Sequence, residues 1–159
     1  MISRRTLFAL SGPLVIGLAI LVRSPWTIQG SARVLDGDTL EIGGQRVRLV
    51  GIDAPELGQT CGAWACGQAA ADALTRLVAG RVVLCVVEGV DAYKRALAVC
   101  RAGNLDLNAR MVNDGLALAF RRYSLRYVQE ENEARQKRRG MWAGEFIPPW
   151  EWRDQRRIN

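Results

Sequence analysis

The sequence predicts an α+β fold dominated by a β barrel: a five-stranded OB-type barrel with about three helices, behind an apolar N-terminal export or anchor segment. Three observations point there. Short runs with two-residue alternation or β-branched content recur between residues 33 and 101. One amphipathic helical run interrupts them after the third strand. More helix follows the fifth, which is the order of an OB barrel with appended helices.

The N-terminus opens with Arg4 and Arg5, and Thr6 to Val22 is then apolar or small, broken only by Ser11, Gly12 and Pro13. Residues 1–23 therefore read as a signal peptide or an N-terminal membrane anchor, since seventeen residues only just reach spanning length. Ser3 to Phe8 also resembles a twin-arginine export signal. Gly30-Ser31-Ala32 is a weak cleavage candidate, so both fates stay open. Arginines ahead of the apolar run keep the N-terminus inside and send the body out. The expected location is extracytoplasmic: periplasmic, secreted or anchored to the inner membrane.

Residues 24–32, with Pro25 and Trp26, read as a linker. The domain proper spans 33–153. Arg33-Val34-Leu35 runs into the turn Asp36-Gly37-Asp38, and Thr39 to Ile42 alternates as a half-buried strand does. Gly43-Gly44 marks a hairpin, and Val47 to Ile52 alternates again until Pro55 ends the ladder. Gly67 to Val78 is a helix with Ala70, Leu74, Leu77 and Val78 on one stripe, stopped by Gly80. Arg81 to Glu88 and Ala96 to Arg101 are the fourth and fifth strands. Leu105 to Leu116 and Leu125 to Arg139 are the remaining helices, and Trp142, Phe146 and Trp150 to Trp152 pin the end of the chain to the body. Residues 154–159 read as a basic tail.

Composition narrows the chemistry. The chain has no histidine, which removes imidazole general bases, Ser-His-Asp and Cys-His catalysis and His-ligated zinc. A net charge of +6 suits a polyanionic partner, and residues 121–159 hold ten Arg or Lys against six Asp or Glu. Export makes disulfides the natural state of the four cysteines. Cys61 and Cys66 share a loop. Cys85 and Cys100 lie in successive strands about a turn near Ala92 and Tyr93, so they can face each other. Pairing 61–66 with 85–100 is one of three possible connectivities, and a four-thiolate zinc site is the rival, although no C-x2-C knuckle is present.

Asp36, Asp38, Glu41, Asp53 and Glu56 crowd five carboxylates into 21 residues. Asp38 and Asp53 sit at the ends of adjacent strand runs, where clustered acids repel unless something positive lies between them. A hard cation does this, with Asp38 and Asp53 carboxylates, the Ala54 carbonyl and water as ligands. Each piece alone is an ordinary turn with solvated acids. Together with Arg48 on the strand between them, they suggest a site.

The blocks V-x-D-G-D-T, R-L-x-G-I-D-A-P-E, D-x-Y-x-R and a polar helix with E-x-x-A-R and G-M-W run in order from Val34 to Trp142. This pattern resembles the staphylococcal nuclease family, and the four cysteines with a P-W-E-W-R tail resemble its exported bacterial branch. The resemblance implies an SNase-like barrel and a metal-dependent hydrolase cleaving DNA, RNA or both, leaving 3′-phosphoryl and 5′-hydroxyl ends. It implies Arg48, Glu56 and Arg95 as catalytic and Asp38, Asp53 and the Ala54 carbonyl as ligands of calcium or another hard divalent ion. The expected partner is nucleic acid, with the membrane a second one if the N-terminus is uncleaved, and the expected state is a monomer. Phosphodiester hydrolysis agrees with this set: forked guanidinium groups on phosphoryl oxygens, a cation, and a carboxylate that activates water. One departure concerns Lys94, where the family has glycine. A positive φ there strains lysine and threatens the placement of Arg95; alternatively Lys94 adds a phosphate contact. Tyr93, Phe120 and Tyr123 are further candidates to hold substrate, the last two as a stacking platform, with a core position the rival for Phe120. The competing functions are a catalytically silent, membrane-tethered OB-fold that only binds nucleic acid, and a structural domain in which the acids are incidental.

Overall fold

The computed structural model describes residues 26–158. The export or anchor segment read at residues 1–23 lies outside the described residues. Among those described, no helix is long and apolar enough to cross a membrane.

Five strands close the barrel: β1 (Thr27–Val34), β2 (Thr39–Ile42), β3 (Gln45–Leu49), and, after β4 (Ile52–Asp53) and helix α1 (Cys66–Val78), β5 (Val82–Val90) and β6 (Ala96–Ala102). β1, β2 and β3 form an antiparallel meander, β1 also pairs with β5, and β5 pairs with β6. The parallel pairing of β3 with β6, Val47 opposite Ala96 and Leu49 opposite Ala98, closes the cylinder. β7 (Leu105–Asp106), α2 (Leu107–Asn113), β8 (Leu118–Ala119), α3 (Val128–Gln136), a 3-10 turn (Gly140–Ala143) and α4 (Pro149–Ile158) follow.

The local chemistry explains these elements. Gly43 and Gly44 both take positive φ, +56° and +78°, so a two-residue turn matches the strand twist and sets Ile42 opposite Gln45. In β6 the inward residues are Ala96, Ala98, Cys100 and Ala102, small enough to leave the interior to Leu40, Val47, Leu49 and Val83. α1 lays Ala70, Leu74 and Val78 against the barrel at the helical repeat. α2 starts on Asp106, whose carboxylate accepts from the Ala109 N–H at 2.9 Å. In α3, Glu131 of the E-x-x-A-R block is buried and accepts from the Ala119 N–H at 2.9 Å and from Arg121, tying that helix to β8. Cys61–Cys66 and Cys85–Cys100 are both bonded, the second pair directly opposite in the β5–β6 ladder.

The sequence reading needs two corrections. The stretch read as a linker, 24–32, is strand from Thr27 onward: Ile28 is buried and Thr27 to Ser31 pair with Val82 to Val86. Its alternation is too short to stand out beside Pro25 and Trp26. Among the described residues the α-helices number four, in keeping with the expected barrel with appended helices, and residues 154–158, read as a basic tail, belong to α4. That helix has good terminal chemistry, with Pro149 at its first position, Glu151 in its first turn and Arg156 and Arg157 in its last.

Asn108 braces main-chain groups at the parallel junction, beside the Val50 N–H that donates to the Ala98 carbonyl at 2.9 Å. Fully buried, it donates to the Val50 carbonyl (2.9 Å) and the Ala98 carbonyl (3.2 Å) and accepts from the Cys100 N–H (3.1 Å). Asn108→Ala strands those groups without water and is expected to cost about 3 kcal/mol. Urea unfolding checks this; a loss near zero would mean that the β3–β6 closure does not depend on the amide.

Candidate active site

The acidic turn is built by close packing. Asp36 accepts from the Asp38 N–H at 3.0 Å, forming the local Asx turn. A Cβ at Gly37 would lie 2.7 Å from the Ala54 Cβ and 2.8 Å from the Ala70 Cβ, so only glycine lets this turn press onto β4's end and α1. Asp38 is thereby buried beside Ala54, whose N–H donates to Asp38 Oδ2 at 3.0 Å, while the Thr39 hydroxyl donates to Oδ1 at 3.1 Å. Asp53 ends β4 with its side chain wholly buried.

Arg48 lies opposite Thr39 in the β2–β3 ladder, and its guanidinium spans the two aspartates. Nη1 donates to Asp38 Oδ1 and Nη2 to Asp53 Oδ1 at 2.8 Å. A second guanidinium arrives from α4: Arg153 donates to Asp53 Oδ2 (2.8 Å), Asp53 Oδ1 (3.1 Å) and Glu56 Oε1 (2.9 Å).

Glu56 is held by its loop. The Gln59 N–H donates to the Glu56 carbonyl at 2.7 Å, and Gln59 Oε1 accepts from the Glu56 N–H at 3.3 Å. Buried Gln59 also donates to the Ile147 carbonyl at 2.7 Å, joining this loop to the segment ahead of α4. Gly67 in the first turn of α1 comes so near that a Cβ there would sit 1.7 Å from the Glu56 carbonyl oxygen. The Cys61–Cys66 disulfide closes the same loop.

Arg95 stands at the end of the β5–β6 turn. Asp91 Oδ1 accepts from its N–H and Asp91 Oδ2 from its Nε, at 2.9 and 2.8 Å. Among the described residues no hydrogen bond engages its two Nη groups. Lys94 takes φ +63°, the left-handed conformation that strains a side-chain-bearing residue. Arg95 nevertheless reaches the site, because Asp91 grips both its main chain and its side chain.

Arg48, Glu56, Arg95 and Arg153 line one cavity of about 690 Å³, together with Tyr93, Phe120, Tyr123, Trp150, Arg122 and Arg157. Phe120 stacks on Trp150 (centroids 5.9 Å apart, planes 11° from parallel) and meets Tyr123 edge-on at 4.9 Å. Tyr93 and Tyr123 are 75% and 70% exposed at its mouth. Asp38, Asp53 and Ala54 are buried and are not part of its wall, and Lys94 is exposed outside it. Arg48, Glu56, Arg95, Tyr93, Phe120 and Tyr123 thus meet at one cavity, Asp38 and Asp53 lie buried behind it in contact with Arg48, and Lys94 does not reach it. Sequence reasoning quoted Trp150 and Arg153 within the P-W-E-W-R tail and Asp91 within D-x-Y-x-R without giving them a place in the site, and it passed over Arg122 and Arg157. Trp150 and Arg153 are three apart, the spacing of one helical face, and Asp91 is four residues before its arginine; both patterns were readable.

Burial pushes the Asp38 carboxyl up to about 7, with Arg48 pulling down against it and Asp36 and Asp53 adding to the rise. For Arg48 and Arg153, burial works against the charge, but the facing carboxylates win and hold both above the ordinary arginine value. Burial is the largest single influence on Asp91 and raises it, but the hydrogen bonds and charge of Arg95, with the Tyr93 N–H, together outweigh it and keep the group below the usual carboxylate range. The donor set fits a hard cation: two buried carboxylates close enough for one guanidinium to span, with main-chain oxygen alongside. Among the described residues no three acids or cysteines converge as a ready cage. A cation here would draw on Asp38, Asp53, the Ala54 carbonyl and water.

A family model described as "Staphylococcal nuclease homologue" matches residues 46–144. An "Uncharacterized endonuclease" of Escherichia coli O157:H7 is 39% identical over 132 residues, covering 78% of this chain and 83% of its own. A "Micrococcal nuclease" of Shigella flexneri is 37% identical over 139 residues, covering 76% and 77%. "Protein ParB" of Escherichia coli is 33% identical over 171 residues, covering 94% and 93%.

The raised Asp38 carboxyl sets a pH dependence. Unfolded, the group ionises near 3.8; folded, it keeps its proton to about 7. Between those values the folded state binds more protons, so stability present below 3.8 is lost as pH rises toward about 7. In chelator, urea midpoints are expected to fall across that window, and Asp38→Asn is expected to flatten the slope. An unchanged slope in the variant would assign the titration to another group.

Proposed function

The chain belongs to the staphylococcal nuclease family and is a hydrolytic nuclease, and from that premise we propose that it is an extracytoplasmic endonuclease. In this reading it depends on calcium or another hard divalent cation and cleaves DNA, RNA or both with little sequence preference. The observation that supports this is the single cavity onto which Arg48, Glu56 and Arg95 open, above the buried pair Asp38 and Asp53.

In this reading Arg95, fixed through Nε by Asp91, turns its Nη groups to the phosphoryl oxygens, where a planar fork matches the geometry better than an ammonium. Arg48 adds a second positive charge from the barrel wall. Glu56 orients the attacking water and accepts its proton as the oxygen bonds to phosphorus and the P–O5′ bond breaks. Asp38, Asp53 and the Ala54 carbonyl would hold the cation, which when bound would supply positive charge and polarise water. Phe120, Trp150 and Tyr123 offer ring faces that any base can stack on, and arginines read phosphate rather than sequence, which supports low specificity. The two disulfides support a place outside the cytoplasm. An uncleaved N-terminus would tether the enzyme to the membrane.

The test uses the oxidised protein with single-stranded DNA and with RNA, first in calcium and then in chelator. Cleavage is expected only with the cation, and Glu56→Ala and Arg95→Ala are expected to lower kcat by roughly 10²–10⁴-fold. Tight binding without cleavage would establish instead a silent binding module. Calcium without effect on either binding or cleavage would leave the acids structural.

A further inference from the structure

The acid centre contains a cation of the chain's own. Arg153 uses Nη1 and Nη2 on both oxygens of Asp53 and on one of Glu56, while Arg48 takes the remaining side of Asp53. Asp53 therefore has no oxygen without a guanidinium partner. Of about four acceptor sites on this carboxylate, two are taken by Arg153 and one by Arg48, so a divalent ion approaching Asp53 Oδ2 meets the head group and the like charge of Arg153. It comes from a helix that lies beyond the family match, which ends at residue 144.

Most of that helix is exposed. Of α4, only Pro149 is buried; Trp150 rests on Phe120 at the cavity edge, and the last turns are exposed. Its attachment is concentrated at its start, through Trp150 and the Gln59–Ile147 hydrogen bond, and at the Arg153 ion pairs. Arg153 itself is partly exposed, so its head group has solvent to withdraw into, whereas Asp53 does not.

We propose that Arg153 is a tethered counter-ion: it neutralises Asp53 and Glu56 while no divalent cation is bound, and a divalent cation must displace it to bind. The inference rests on the cation-dependent reading of the site. Arg153 acts here as a positioning residue. It holds one buried and one half-buried carboxylate in place, at the expense of cation affinity. Giving up two charge-assisted hydrogen bonds to a buried carboxylate lowers the apparent cation affinity by about tenfold or more.

Calorimetric titration of the full exported chain with calcium chloride tests this, using the wild type, Arg153→Ala, Arg153→Gln and, as a control of equal charge change on the same helix, Arg156→Ala. Arg156 lies over the Trp152 ring and away from the acids. The proposal expects the calcium Kd to tighten about tenfold or more in both Arg153 variants and little in Arg156→Ala. It also expects melting temperature in chelator to fall for the Arg153 variants and to be restored by calcium. Should Arg153→Ala need calcium to fold, Arg153→Gln, which keeps a shorter polar side chain without the charge, carries the comparison. Equal Kd values in wild type and Arg153 variants, or weaker binding in the variants, overturn the counter-ion while leaving the cation site standing. No calcium binding by any of the four proteins overturns both.

Discussion

Everything at the site depends on placing two carboxylates where water cannot reach them. Asp38 and Asp53 are buried at one end of a closed barrel, and an uncompensated ion there is costly enough that the group gives up its charge instead. The upward shift of Asp38 shows that this pressure is not fully met even with Arg48 bridging the pair. The barrel's task is therefore to supply positive charge at a fixed position. β3 does so because its alternation sends Val47 and Leu49 inward and leaves Arg48 facing the aspartates.

Rigidity around this charge comes from absent atoms as much as from contacts. Gly37 lets the acidic turn touch Ala54 and Ala70, and Gly67 lets α1 touch the main chain of Glu56. Each replaces a side chain by a backbone approach that no other residue allows. Gln59 then carries the Glu56 loop's position to Ile147, so that the Glu56 carboxylate and the base of α4 share one frame. α1 thus does two jobs: its apolar stripe seals the barrel, and its first turn fixes the loop.

Much of this was legible beforehand. The strand order, the Gly43-Gly44 turn, the α1 stripe and the cysteine pairing follow from local periodicity and turn chemistry, which the folded chain obeys. The convergence of Arg48, Glu56 and Arg95 was legible through motif resemblance, not through spacing, because the three lie on separate elements. Two things were hidden. The first half of β1 gains its stability from pairing with β5, some fifty residues on, which no local pattern reports. α4 is short, charged and polar on most sides, and its meaning lies in what Trp150 and Arg153 touch. Lys94 shows the reverse case: a local rule predicts strain, the strain is present, and Asp91 absorbs its consequence by holding Arg95 twice.

The two demands on Asp53 conflict. To fold, the domain needs that carboxylate compensated; to bind a divalent ion, it needs the same oxygens open. A second fixed arginine in the barrel wall would satisfy the first demand and defeat the second. A guanidinium on a peripheral helix satisfies both, because it is close enough to neutralise the charge and attached loosely enough to leave. That the group comes from outside the family's matched region, on an element whose own burial is slight, fits a solution added to the barrel rather than one required by it. Cation affinity in such a site is then set by the difference between two occupants of the same oxygens, not by the carboxylates alone.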